Sequence, residues 1–563
     1  MSRQGPTEMT DLLQPIARFD PEVDTWSGAT WIGQIDESGL TGERLNLAGG
    51  EHFSRARLLV WSQDVPRGFV EVAVSDGAVV VADVGTEVAE LPEVETRPSQ
   101  HHLPPISVVV CTRDRPGHLR DVLENLVQLE YPHFEVLVVD NNPDSGLTPA
   151  VVESFAGRTV RLVDAPGQGL SIARNVALRN AKYNVVAFTD DDVLVDPHWL
   201  TNLAYGFGRD ERVACVCGMV PSAEVLTPAQ SYFDRRVGWA RRCDAAVYDL
   251  ASPPADDSLF PLRVAQFGTG ANFAVHRDAT LELGGFDEGL GVGSPTGGGE
   301  DIDMFVRILL SGHMLVREPA AVVWHRHRRT APELEVQIRN YGLGLGAWIA
   351  KLMARPRTLG MVLHRLRPGV RHLRGVTVVD QSDTVGVDPG LEGLDQRELR
   401  GVLKGPFALI RARAAGRKAA PLKSTAAGLA RALDFRGDQM WGDPNNAITA
   451  GRLALTAVAL GLVGTLGAVP ALPTLLLALA VGAFTIAGPG SLALSWYTHL
   501  PAYALVPLVP VVSVAACLLV VTGLLMVGFY SPVLVLLALT STTVVGGVAR
   551  CGYLAQRKAV RAP

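Results

Sequence analysis

From Leu453 to Ala549 the chain carries no Asp, Glu, Lys or Arg. No other feature limits its fold so strongly, because a domain facing water cannot be surfaced by a charge-free stretch of that length. It reads as membrane-spanning. At about 20 residues per span, with breaks at Pro470, around Gly488-Pro489-Gly490 and at Tyr530-Ser531-Pro532, it divides into about four helices, roughly 453 to 469, 471 to 487, 503 to 528 and 532 to 549. The segment before it is rich in Arg, as in "RPRTLGMVLHRLRPGVRHLR" and "RARAAGRKAAPLK", and the tail after it reads "QRKAV". Positive flanks on both sides place both in the cytoplasm, and an even number of spans agrees. Residues 1 to 350 have no leader pattern of charged, apolar and small residues at their start, so the expectation is a multi-pass cell-membrane protein with its large N-terminal part in the cytosol.

At 563 residues the chain is long enough for two or three domains. A formal net charge of -6 gives no sign of a nucleic-acid partner. The six cysteines are scattered with no CxxC. Cys215 and Cys217 lie in "VACVCGMV", a strand pattern, where two small buried hydrophobes are expected rather than a metal or redox site.

Residues 1–97 hold short alternating strands, "RARLLVW" and "GFVEVAV", and read as a small appended domain, with 98–105 as a linker. From Ile106 the pattern becomes strand, loop, helix. "ISVVVCT" is a continuous apolar run, and "HLRDVLENLVQL" then places Leu119, Val122, Leu123, Leu126 and Val127 at helical spacing. Repeated through 106–345, this alternation predicts an α/β domain with a mainly parallel sheet covered on both faces. Residues 346–446 read as a basic linker or helical region, 447–550 as the transmembrane module and 551–563 as a tail.

In such sheets ligands bind beyond the carboxyl ends of the strands. Thr112-Arg113-Asp114, Asp140-Asn141-Asn142 and Asp190-Asp191-Asp192 each follow a strand, so three polar clusters should converge on one edge. Three consecutive carboxylates repel one another, and holding them together in a partly buried place calls for a cation.

"VVVCTRDRP", "VVDNNPDS", "GLSIARN", "FTDDDV" and "GGGEDIDMFVRIL", in that order over about 106 to 330, resemble the inverting glycosyltransferases of family 2. The resemblance implies the GT-A fold, a Rossmann-like mixed-sheet domain here set between the small β-containing N-terminal domain and the α-helical membrane module. It also implies a nucleotide-sugar donor, foremost a UDP-sugar, and a divalent cation, Mn2+ or Mg2+, to neutralise the diphosphate. Asp192 and Asp190 match the metal-binding pair, with His325 completing the ligand set and Asp190 shared with the ribose. Thr112, Asp114, Asp140 and Arg174 match nucleotide-binding positions. Asn272 and Asp191 are the expected sugar or acceptor contacts, Asp191 also through a supporting hydrogen bond. Asp301 matches the general base that deprotonates the acceptor hydroxyl, with Glu300 the alternative.

The membrane module and the basic segment suggest a lipid-linked or envelope-glycan acceptor. A processive polysaccharide synthase would carry Gln-x-x-Arg-Trp after the base, and the nearest match, Gln337 to Tyr341, is degenerate. Single-sugar transfer is therefore favoured. A polyprenyl-phosphate sugar synthase and a non-catalytic nucleotide-binding scaffold are the other readings, the scaffold being expected to lack one of the site carboxylates.

Overall fold

The computed structural model describes residues 12–18, 26–94, 97, 102–238, 240, 242–255, 257–355, 358–362, 365, 391, 393–423, 445–469, 472–496, 502–526 and 531–560. The chain forms two compact units, Met1–Phe435 and Arg436–Pro563.

At the start of the first unit, β1 (Leu12–Leu13), β3 (Arg44–Leu47) and β6 (Ala78–Val80) make one small sheet; β2 (Trp31–Asp36), β4 (Arg55–Ser62) and β5 (Val65–Ala73) make another, followed by helix α1 (Val81–Ala89). The alternation in β4 sends Ala56, Leu58 and Val60 into a local core with Trp31, Val70 and Val84. Leu59 and Trp61 point the opposite way, as the two-residue period of a strand requires. There they pack with Met219, Val322 and Trp324 of the larger sheet. Arg57 adds an ion pair to Asp234 at 2.7 Å. The N-terminal strands are thus joined to the α/β domain by shared core.

That domain runs β7 (Ile106–Thr112), α2 (Pro116–Leu126), β8 (Phe134–Asp140), α3 (Leu147–Glu153), β9 (Val160–Asp164), α4 (Leu170–Asn180), β10 (Val185–Thr189), β11 (Val193–Val195), α5 (Trp199–Phe207), β12 (Val213–Met219), α6 (Pro228–Val237), β13 (Ala246–Tyr248), β14 (Asn272–His276), α7 (Arg277–Glu282), α8 (Glu300–Leu310) and β15 (Met314–His325). The sheet order is β11-β15-β12-β14-β10-β7-β8-β9, with β13 also paired to β15. Strands β10, β7, β8 and β9 are parallel, as are β12 and β15, while β14 runs antiparallel between β10 and β12. Val108 and Val110 of β7 meet Leu119, Val122 and Leu123 of α2 on one face. Val109 meets Ala173 and Ala177 of α4 on the other. Both faces are covered, so the strands read as unbroken apolar runs.

After β15, α9 (Ala331–Met353) is started by a capping box between Thr330 and Glu333. It pairs with α10 (Leu394–Ala414) through glycines. A Cβ on Gly342 would lie 2.2 Å from the Glu398 carbonyl oxygen, and one on Gly346 would lie 2.0 Å from that of Val402. Gly401 and Gly405 face back in the same way. Within 346–446, read from the sequence as a basic linker or helical region, α10 packs against α9 through a four-residue glycine spacing that the Arg-rich composition hides.

The second unit contains α11 (Asn445–Thr465), α12 (Thr474–Ser495), α13 (Ala502–Met526) and α14 (Pro532–Val560). Among the described residues, three stretches are long and apolar enough to cross a membrane: Gly451–Ala468, Thr474–Ser495 and Pro532–Leu554. In α13 the corresponding stretch, Leu508–Thr522, is shorter. The break expected at Gly488-Pro489-Gly490 does not occur, since α12 passes through it to Ser495. Gly490 lies against the α13 backbone, and its N–H donates to Ser513 Oγ at 2.7 Å. Such a neighbour can satisfy the backbone that a proline disturbs inside a membrane helix. Pro470 lies outside the described residues; Pro532 does begin a helix.

Candidate active site

The carboxyl ends of β7, β8, β10, β12 and β15 share one edge of the sheet, and antiparallel β14 starts there. Strand β11 folds back along β15 with Val193 opposite His325. That register presses the Asp190–Asp192 loop against the end of β15. One ligand atom each from Asp190, Asp192 and His325 lie within 4.8 Å of one another. His325 Nε2 is 3.3 Å from Asp192 Oδ1 and 4.0 Å from Asp190 Oδ2.

Burial, followed by the Asp192 charge, pushes the Asp190 carboxyl up to about 7. Asp192 moves the other way. Burial alone would raise it, but His325, Arg328 and Arg115 together hold it below its ordinary value. Two carboxylate oxygens and an imidazole nitrogen gathered this closely fit a divalent cation, hard enough for oxygen yet tolerant of nitrogen.

The next strands toward β9 supply a second polar group. Asp140, fully buried at the end of β8, accepts from the Asn142 backbone N–H at 2.9 Å, while its Oδ2 is buried with no protein partner. An acceptor left open there suits a donor on a ligand. Asp114, in the left-handed region at φ 58°, accepts twice from Asn142 Nδ2 at 2.9 and 3.0 Å. Those bonds chiefly hold its carboxyl below the usual range. Thr112 is buried and donates to Asp191 Oδ2 at 2.8 Å.

Three of the expected contacts have their polar atoms bonded within the protein. Asp191 is buried, with Thr112 and the Arg115 guanidinium, 3.0 Å away, taking its two oxygens. It braces the loop rather than facing a sugar or acceptor. Asn272 is wholly buried; it accepts from Trp199 Nε1 at 2.9 Å and donates to the Met219 and Ala321 carbonyls at 2.9 and 2.7 Å. With both amide donors spent, it pins β14 between its neighbours and offers nothing to a sugar. Arg174 is also buried, among the rings of Phe188, Phe273 and Phe286. It donates to Glu300 Oε1 at 3.0 Å and to the Gly270 carbonyl at 2.8 Å, and lies 3.9 Å from Asp190. Its protein bonds tie the two carboxylate groups together. Glu300, beneath it, is 5% exposed, and burial, then repulsion by Asp301, raises its carboxyl to about 7.

Asp301 remains partly open to solvent in the first turn of α8, where a helix N-terminus favours negative charge. A Cβ on Gly270 would sit 3.0 Å from Asp301 Oδ2 and 3.2 Å from Arg174 Nη2. A side chain at position 270 would press on both of these side chains, and glycine leaves them their places. The Gly-rich run before α8 is packed into place: Gly291, Gly293, Gly297 and Gly299 all have positive φ, and a Cβ on Gly299 would meet the Gly344 carbonyl oxygen of α9 at 2.9 Å.

Two cationic groups were missed by reading the sequence for family positions. Arg115 bonds both Asp191 and Asp192 at 3.0 and 3.2 Å, and Arg328 lies 3.5 Å from Asp192. Arg115 stands in "VVVCTRDRP" and Arg328 three residues after His325, and the need of three adjacent carboxylates for positive charge was the signal pointing to them. Asn141 was also missed. It holds the 165–169 loop by donating to the carbonyls of Ala165 and Gly167 and accepting from the Gly169 N–H.

The description "Glycosyl transferase family 2" belongs to the family model that matches residues 107–283. The O-antigen biosynthesis protein RfbC of Myxococcus xanthus is 36% identical over 121 residues, 21% of this chain and 9% of that protein. Succinoglycan biosynthesis protein ExoM of Rhizobium meliloti is 28% identical over 275 residues, 47% of this chain and 77% of that protein. A pre-mycofactocin glycosyltransferase of Mycobacterium tuberculosis is 28% identical over 227 residues, 40% of this chain and 43% of that protein. The chain thus spans less than half the length of two of these three relatives.

Proposed function

We propose, from the match of residues 107–283 to the glycosyltransferase family 2 model, that the chain is a metal-dependent inverting glycosyltransferase. It moves one sugar from a nucleoside-diphosphate sugar, foremost a UDP-sugar, to a hydroxyl of a lipid-linked or cell-envelope glycan. The observation that carries this is the meeting of Asp190, Asp192 and His325 on the same strand edge as Asp301, with Arg174 bridging the two groups.

In this reading Asp190, Asp192 and His325 hold the cation, Mn2+ being favoured by the imidazole ligand. When bound, the cation offsets the charge of the diphosphate leaving group. Asp140 accepts from the nucleobase or ribose through its open Oδ2. Asp301 takes the proton of the acceptor hydroxyl as that oxygen bonds to the anomeric carbon and the bond to the diphosphate breaks. One base and direct attack give inversion. Glu300 and Arg174 keep Asp301 beside Gly270 and act by positioning. The names of RfbC and ExoM, for O-antigen and succinoglycan biosynthesis, support an envelope-glycan acceptor. Transfer of single sugars is favoured over processive synthesis because the stretch Gln337 to Tyr341 departs from Gln-x-x-Arg-Trp.

The test is a screen of nucleotide sugars with the full-length protein and Mn2+ or Mg2+, reading released nucleoside diphosphate. Hydrolysis or transfer with one donor, lost on chelation, is expected. Turnover undiminished by chelator would remove the metal from the mechanism, and no turnover with any nucleotide sugar, acceptor included, would favour the scaffold reading.

The protein is further proposed to sit in the cell membrane with residues 1–440 and the C-terminal tail both cytoplasmic, from the positive flanks of the uncharged block. Reporters fused at residue 440 and at Pro563 should therefore report the same side. Opposite sides would mean an odd number of spans, as crossing by only the three long apolar stretches would give.

A further inference from the structure

Helix α10 has one face buried and one that, among the described residues, is left exposed. Leu394, Gly401, Gly405, Ala408 and Ala412 are buried, and the glycines among them meet α9. On the other side Leu399, Leu403, Phe407 and Ile410 are 55, 67, 69 and 64% exposed. At 3.6 residues per turn these four fall within about 80° of the helix circumference. Arg400, Lys404 and Arg411 are exposed too and lie along one edge of that arc. An apolar ridge with a basic border is the pattern of a helix lying in a membrane interface.

The tether and the charge of the border point to one occupant, a membrane surface. About 30 residues separate Ala414 from Asn445 at the start of α11, and even a fully extended chain of that length covers only about 100 Å. The connection thus leaves the ridge free to meet the membrane that the second unit is read to cross. Its basic border matches the anionic headgroups of a cytoplasmic leaflet.

We propose that α10 lies in the interface of that membrane, with Leu399, Leu403, Phe407 and Ile410 at the headgroup and acyl boundary and Arg400, Lys404 and Arg411 on anionic lipid phosphates. This rests on the reading of the second unit as membrane-spanning. It also links the lipid surface to the site. In the last turn of the helix Arg413 pairs with Asp287 at 2.7 Å, and just past its end Arg417 donates to the carbonyls of Gln168 and Gly293. Gly293 belongs to the run that leads into Glu300 and Asp301. The interfacial helix is thus fastened to the loops beside the proposed base, which orients the site toward an acceptor carried by lipid.

The test uses the full-length protein in nanodiscs, with photoreactive p-benzoylphenylalanine replacing Phe407 or, as a reference in α12, the 61% exposed Leu479. Both side chains are exposed, so neither replacement disturbs packing. Lipid adducts are expected at both positions. At Phe407 the yield should be about threefold or more higher in discs containing anionic lipid than in zwitterionic discs. That excess should vanish in the R400E/K404E/R411E variant while the Leu479 yield holds. Crosslinks from Phe407 to residues 445–560 or to a second copy of the chain would overturn the proposal, as would absence of a lipid adduct while Leu479 forms one. Equal yields in both kinds of disc would overturn the anionic assignment. Failure at both positions would overturn the membrane reading along with it.

Discussion

Asp192→Asn is expected to abolish metal-dependent binding of a nucleoside diphosphate while the protein stays folded. Asp192 is 4% exposed, and its carboxylate is approached by His325, Arg115 and Arg328 at 3.3, 3.2 and 3.5 Å. The carboxylate is kept ionised there, ready to bind a cation without first losing a proton. A neutral amide keeps the shape but cannot supply the charge, and a change even in the outer shell of a metal site costs about 10- to 100-fold in affinity. Loss of a direct ligand should cost at least the upper end of that range. The same change leaves Arg115, Arg328 and His325 with less negative charge to offset them, so weak binding of diphosphate without metal should persist. Titration calorimetry with UDP or GDP, with and without Mn2+, separates the two modes. Undiminished Mn2+-dependent binding would remove Asp192 from the ligand set.

The site was legible in the sequence as far as strand ends could locate it. Thr112, Asp140 and Asp190-Asp191-Asp192 each follow an apolar run, and the parallel β7, β8 and β10 bring them to one edge. His325 could be placed beside them because it also ends an apolar run, though the contact itself depends on β11 turning back with Val193 opposite His325. A three-residue strand of that kind leaves almost no periodicity to read. The direction of β14 was similarly hidden, since a run buried on both faces looks the same in either direction.

What the sequence could not separate was a polar residue facing a ligand from one satisfied inside the protein. Arg174 and Asn272 have the right chemistry and position along the chain. Yet Arg174 is consumed by Glu300 and Gly270, and Asn272 by Trp199, Met219 and Ala321. These partners are 49 to 126 positions away in the chain, and no local pattern signals them. The glycines of α9 and α10 show the reverse case. Gly342, Gly346, Gly401 and Gly405 were visible, but each gains meaning only when the other helix's backbone lies against it.

Asp301→Asn should lower sugar transfer by about 100-fold or more, the usual scale for a positioned base, with donor affinity preserved. Asp301 is not one of the three candidate metal ligands. Its negative charge instead helps raise the proton affinity of Asp190, after burial and Asp192. Neutralising it should leave donor binding unchanged or slightly tighter, the opposite sign from Asp192→Asn. Asp303, two residues along α8, provides the contrast. It is buried, with Arg307 Nε at 2.7 Å and Lys351 Nζ at 2.6 Å, and Lys351 also meets Asp287 at 2.7 Å. Breaking such a buried pair costs about 3–5 kcal/mol, so Asp303→Asn should lower the melting temperature while the molecules that remain folded transfer sugar nearly normally. Asp301, partly exposed, should show the converse: lost turnover at a melting temperature close to that of the unchanged protein. Transfer rates measured per folded molecule, beside thermal melts of both variants, decide the matter. Equal losses of transfer would give the whole "EDID" turn a structural role, and a larger loss in Glu300→Gln would move the base to Glu300.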